Sequence, residues 1–137
     1  MYDRLYVEYL YYFNDQRDYY ECHEVMEEYW LLEGKNKLLQ SLLQVAVGLY
    51  HFRNGNITGA IKLLEQALAK QNEPWIGQLG INKEKLYDEV TRYLEKLKCY
   101  DTAPFPFYDL TIEIIDPKLE ELALNCVPEG VAEEDKY

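Results

Sequence analysis

The chain has 137 residues, 25 acidic against 14 basic side chains and a formal net charge of -11, which is room for one hydrophobic core and not for two. At 48% hydrophobic and 28% charged it lies in the globular range, and the acid excess leaves no basic stripe for nucleic acid and repels anionic membrane surfaces. With no run of membrane-spanning length and no leader pattern, the expectation is a cytoplasmic protein with no nucleic-acid and no membrane partner. Cys22, Cys99 and Cys126 are odd in number and far apart, and are expected to be reduced structural thiols. Tyrosine is abundant: 14 against 4 Phe and 2 Trp, with most of them ahead of Trp30.

Apolar residues at Leu5, Tyr6, Tyr9, Leu10 and Phe13 follow helical spacing and predict a first helix over 3–13. Asn14 and Asp15 offer caps for a second helix over 16–33, which Gly34 ends because glycine takes the left-handed conformation cheaply. A third helix over 36–54 is apolar around most of its circumference, from Leu38 to Phe52, and should be buried on several sides. Gly55 closes it and Asn56 caps a fourth over 57–71, and so short a turn makes the two antiparallel neighbours. After a breaker-rich connection, Glu73-Pro-Trp-Ile-Gly-Gln-Leu-Gly80, Asn82 caps a fifth helix over 83–98 with Lys83, Lys85, Arg92, Lys96 and Lys98 outward.

These five helices define a bundle domain over 1–100. Residues 101–137 form an extension: Ala103-Pro-Phe-Pro-Phe107 is held extended by its prolines, 111–115 reads as a short strand, Pro117 opens a short helix over 117–124, and 129–137 looks frayed. The expected fold is all-α, a single-domain antiparallel bundle of about five helices with an irregular C-terminal tail. The aromatic segment 103–108 is apolar enough to dock on its own bundle or on a second copy, giving a homodimer.

Chemistry concentrates in Asp18-Tyr-Tyr-Glu-Cys-His-Glu-Val-Met-Glu-Glu-Tyr-Trp30. At about 100° per residue, Glu21, Glu24 and Glu28 share one arc and read as a solvated face. His23 and Glu27, one turn apart, lie with Tyr20 and Trp30 beside the apolar arc of Cys22, Met26 and Tyr29. On the third helix Gln40, Gln44, Gly48 and His51 make one narrow polar stripe. In a hairpin turning at Gly34, residues whose numbers sum to about 70 lie level, which sets Glu27 near Gln44, Trp30 near Gln40, and His51 near Asp18 and Tyr19. The candidate site is thus a polar seam of Tyr20, His23, Glu27, Trp30, Gln40, Gln44 and His51.

Three chemistries suit such a seam. It can be a hydrogen-bonded network that fixes register, because an unpaired buried polar group costs roughly 1–3 kcal/mol. It can be a divalent-metal site of His23, Glu27 and His51 in a metal-dependent hydrolase, although the second carboxylate and the Glu-x-x-His pairs of helical di-metal sites are missing. Or it can be a pocket in which Glu27 and His23 hydrogen-bond a small molecule or a protein partner beside Trp30 and Tyr20, the reading carried forward, with no resident cofactor. No G-x-S-x-G elbow or P-loop is present, and Cys22 and His23, being adjacent on a helix, diverge too far to act as a nucleophile pair.

The segment from Ala46 to Asn56 followed by Ala60, Leu64, Ala67 and Leu68 looks like one tetratricopeptide unit, so a peptide-binding module is a further alternative. No second copy appears, and a solenoid needs about three units to bury a continuous core.

Phe13, the run Tyr19 to Trp30, the run Leu42 to His51, Asn54-Gly-Asn56 and Gly59-Ala60 together resemble the small helical proteins grouped as domain of unknown function family 309. That family's pattern is an aromatic pair before His-Glu-x-x-Glu-x-x-Trp, a Gln on the next helix and a helix-ending His before a Gly-Asn turn. His23, Glu24, Glu27, Trp30, Gln44 and His51 occupy those places. The resemblance covers Phe13 to Leu68 and the loop Leu79 to Asn82, and implies an all-helical bacterial or archaeal protein with no established activity.

Overall fold

Among the described residues each α-helix starts on the side chain of an Asp or Asn, which accepts one of the backbone N–H groups that a helix start leaves without an intrahelical partner. In a computed structural model of the chain, which describes residues 1–129, Asp3 caps α1 (Arg4–Tyr11), Asp18 caps α2 (Tyr19–Leu32) and Asn36 caps α3 (Lys37–Arg53). Asn56, Asn82 and Asp116 cap α4 (Ile57–Ala69), α5 (Lys83–Lys98) and α6 (Pro117–Leu124). Among the described residues the fold is all-helical, with no strand, and consecutive helices from α1 to α5 pack as neighbours around one core. The packed pairs are α1 with α2, α2 with α3, α3 with α4, and α4 with α5, while α6 returns onto α1. No helix among the described residues is long and apolar enough to cross a membrane. All three cysteines are free, and Cys22 is buried.

The turns follow their residues. Gly34 at φ +68° and Lys35 at φ +61° end the α2 arm, and Gly55 at φ +82° closes α3 just before Asn56 caps α4. At the α3/α4 crossing Gly48 is required by contact: a Cβ there would lie 2.6 Å from Leu64 Cδ2.

Three local expectations are corrected. The second helix begins at Tyr19, not at 16, because α1 runs on into a π-helical turn, Tyr12–Gln16, that Arg17 ends at φ +54°. Asn14 is no cap: its side chain donates to Ile112 O and accepts from Ile112 N, both at 2.8 Å. The strand expected over 111–115 reduces to one antiparallel bridge, Ile114 to Ile81, since its partner is the irregular loop before α5.

The C-terminal extension docks on its own bundle. Leu110, Ile112 and Leu119 are buried, and Phe105 and Phe107 close over Phe52 of α3 at ring distances of 5.1 and 5.8 Å. Arg17 donates to Leu110 O and Thr111 Oγ1, and Tyr19 donates to Asp109 at 2.5 Å. Of the segment expected to fray, 130–137 lies outside the described residues, and Glu129 N donates to the buried Glu8 at 3.0 Å.

Candidate functional site

The expected seam divides between two helix interfaces. The polar stripe of α3 exists, but it faces α4. Gln44 is buried, donates to Gln66 Oε1 at 3.0 Å and accepts from Lys70 Nζ at 3.0 Å. One turn earlier Ser41 donates to Ala67 O at 2.7 Å, Gly48 meets Leu64, and His51 at the far end lies 3.4 Å from the Asn56 amide that opens α4. Gln40, one turn before Gln44, is half-buried on the same arc. Gln44 therefore does not meet Glu27. Axial level follows from antiparallel pairing, but which arc of α3 faces α2 is fixed by the close approach of Leu64 and Ala60 of α4 at Gly48.

Facing α2 is Tyr50, about 120° round the helix from Gln44. Its ring lies 6.1 Å from that of Tyr20, which is 51% exposed, and Tyr20 lies 6.4 Å from the imidazole of His23. On its other side Tyr50 is 6.1 Å from His51. A continuous row of four rings, His23, Tyr20, Tyr50 and His51, thus crosses the α2/α3 surface and includes both histidines of the chain.

His23 stands between two carboxylates: Nδ1 is 3.2 Å from Glu24 Oε1 and Nε2 is 3.3 Å from Glu27 Oε2. Glu24 is accordingly no idle solvated residue, and Glu28, assigned to the same solvated arc, has a buried Oε2 with no hydrogen-bond partner among the described residues. His23 and Glu27 remain 34% and 49% exposed, so the pair can engage a further group from solvent. Trp30 lies two turns past His23, half-buried against the core, with Lys35 Nζ 5.9 Å from its ring centroid. The metal candidates His23, Glu27 and His51 are spread along the row, and among the described residues no group of three or more His, Cys, Asp or Glu side chains is arranged to hold an ion. Cys22, beside His23 in sequence, points into the core, where burial pushes its thiol well above its usual range and its Sγ lies 3.5 Å from Tyr9 O.

Sequence reasoning missed Tyr50, and it placed Glu24 on the solvated arc although the family pattern includes it. The signal for Tyr50 is present in the sequence, since its number and that of Tyr20 sum to 70, which sets the two residues level in the hairpin. A separate groove of about 740 Å³, lined by Tyr2, Leu38, Trp75, Ile81, Lys83 and Asp116, flanks the 73–80 loop and contains none of the seam residues.

The profile of the family described as "Domain of unknown function (DUF309)" matches residues 6–63, from α1 into α4. YpuF of Bacillus subtilis (strain 168), an uncharacterised protein, is 31% identical over 126 residues, or 88% of this chain and 70% of YpuF. The chain belongs to the DUF309 family. A second similar protein, an uncharacterised one from Aquifex aeolicus (strain VF5), is 31% identical over 83 residues, covering 58% of this chain and 24% of its own length. No solved structure matches the chain. The DUF309 match spans the whole four-ring row, and its α5 to α6 continuation lies outside the matched residues.

Proposed function

We propose that this DUF309 protein is a binding protein whose recognition surface is the row His23, Tyr20, Tyr50 and His51 with Glu24 and Glu27 at one end. The observation that carries the reading is exposure without disorder of chemistry. Tyr20, His23, Glu24 and Glu27 hold fixed mutual geometry on α2, where it packs on α3, while keeping a third to a half of their surface open to solvent. A structural network would bury these groups and satisfy them internally, as Gln44, Gln66 and Lys70 do one interface away. Helix-borne polar and aromatic groups of this kind supply orientation and contact area for a small molecule or a partner protein.

Ligand-observed NMR of a fragment library tests this. Fragments that bind the native chain should lose their saturation transfer with Tyr20→Ala and with His23→Ala, both half-exposed positions whose truncation leaves the core intact. Hits that persist in both variants, or that perturb Trp75 in the neighbouring groove instead, would move the binding function away from the row.

A further inference from the structure

Tilted aromatic pairs with rings close to one another recur through the protein, the buried pair Tyr6 and Tyr29 at 6.3 Å and 47° among them, and three bear on the seating of a cation. Phe105 and Tyr108 are 6.0 Å apart at 52°, Tyr19 and Phe107 are 6.2 Å apart at 63°, and Tyr20 and Tyr50 are 6.1 Å apart at 48°. Two of them hold a cation of the chain itself. Lys96 Nζ sits 4.6 and 4.5 Å from the centroids of Phe105 and Tyr108, and Arg53 Cζ sits 4.8 and 5.9 Å from those of Tyr19 and Phe107. Such seating is electrostatic, the positive group resting on the negative faces of the rings. Among the described residues no Lys or Arg stands over the third pair. Tyr20 of that pair lies next to His23, which Glu24 and Glu27 flank, and α2 itself carries four glutamates and no Lys or Arg.

Resting on the binding reading above, we infer that the Tyr20/Tyr50 cleft receives a lysine or arginine side chain of a partner polypeptide, the cation seated between the rings and paired with Glu24 and Glu27. The cleft is open on the helix surface, with Tyr20 half-exposed, so it cannot enclose most of a free small amine as ligand pockets do. A polypeptide supplies the flanking contact that such a surface needs, and the net charge of -11 favours a basic one.

The test is an NMR titration of the full chain at constant ionic strength with four probes. These are a blocked peptide carrying one central Lys, its analogues with norleucine and with Glu at that position, and n-butylammonium chloride. The Lys peptide should shift the Tyr20, Tyr50 and His23 resonances saturably and bind about fivefold tighter than the norleucine peptide, as a cation over exposed rings predicts. Tyr20→Leu and Glu27→Gln should each weaken it by a similar factor while the amide spectrum stays otherwise native. Equal binding of Lys and norleucine peptides, absence of saturable shifts, or indifference to both substitutions overturns the inference. So does butylammonium binding as tightly as the Lys peptide, which would make the ligand a free amine. Preference for the Glu peptide at the same resonances would discard the cation and leave the row standing as a binding surface.

Discussion

Tyrosine works here with both ends of its side chain. The ring fills core volume, and the hydroxyl reaches a polar group that a phenylalanine would leave unmet. Tyr6 donates to Leu79 O at 2.5 Å, Tyr93 to Tyr108 O at 2.8 Å and Tyr2 to Asp116 at 2.5 Å, each tying an irregular segment to a helix. Tyr9, fully buried, donates to Leu42 O at 2.7 Å. Tyr9→Phe should therefore cost about 1 kcal/mol in urea unfolding, the usual worth of one buried hydrogen bond. At Gly48 the constraint is steric: the 2.6 Å approach to Leu64 predicts that Gly48→Ala costs about 1–3 kcal/mol by overpacking the α3/α4 crossing. Glu27→Gln stands at the opposite pole. Its partner is His23, both groups are substantially exposed, and an exposed pair contributes at most about 1 kcal/mol, so the unfolding midpoint should hardly move. A loss of several kcal/mol there would return the site to a structural role.

At the scale of elements, the segment between α5 and α6 is held on the bundle by side chains borrowed from the other end of the chain. Asn14 clamps both the N–H and the carbonyl of Ile112, and it is free to do so because it lies in the π-helical turn and Asp18 does the capping. Asn14→Ala strips a part-buried backbone segment of two hydrogen bonds, and a loss of about 1–3 kcal/mol follows. Hydrogen exchange should show it locally, the Ile112 amide exchanging faster while α3 amides keep their protection; unchanged Ile112 exchange would contradict the clamp. Helix ends were legible in the sequence where the signal was local, as at Asn56, Asn82 and Pro117. The start of α2 was not, because the choice between Asn14 and Asp18 depends on a residue 98 positions away in the chain.

For the molecule as a whole, the buried and part-buried tyrosines set its alkaline limit. Burial, helped in places by neighbouring acids, lifts Tyr2, Tyr12, Tyr29 and Tyr87 from 10.0 to about 12, and lifts Tyr6, Tyr9, Tyr19 and Tyr93 further still. The folded chain keeps these protons at a pH where the unfolded chain releases them. Their contribution is thus complete below pH 10 and is lost as pH rises from 10 through about 12. Denaturant midpoints should fall steeply over that window, with tyrosinate absorbance appearing as the chain unfolds. A midpoint flat across the window would show that the hydroxyls are not sequestered.

The sequence alone determined the helical class, the order and nearly all the bounds of the helices, and the axial level of α2 against α3. These follow from a 3.6-residue period and from caps that act within one turn. Family membership was legible too, carried by the run through His23, Glu27, Trp30, Gln44 and His51. Only the tertiary structure decided which arc of α3 meets which neighbour. That choice sent Gln44 to Gln66 and Lys70, brought Tyr50 to Tyr20, and so moved the candidate site from a seam facing Gln44 to a part-exposed row of rings. The rotation of a helix whose apolar face is nearly continuous is set by close packing with all its partners at once, at Gly48 and Phe52 above all, and no local pattern encodes it.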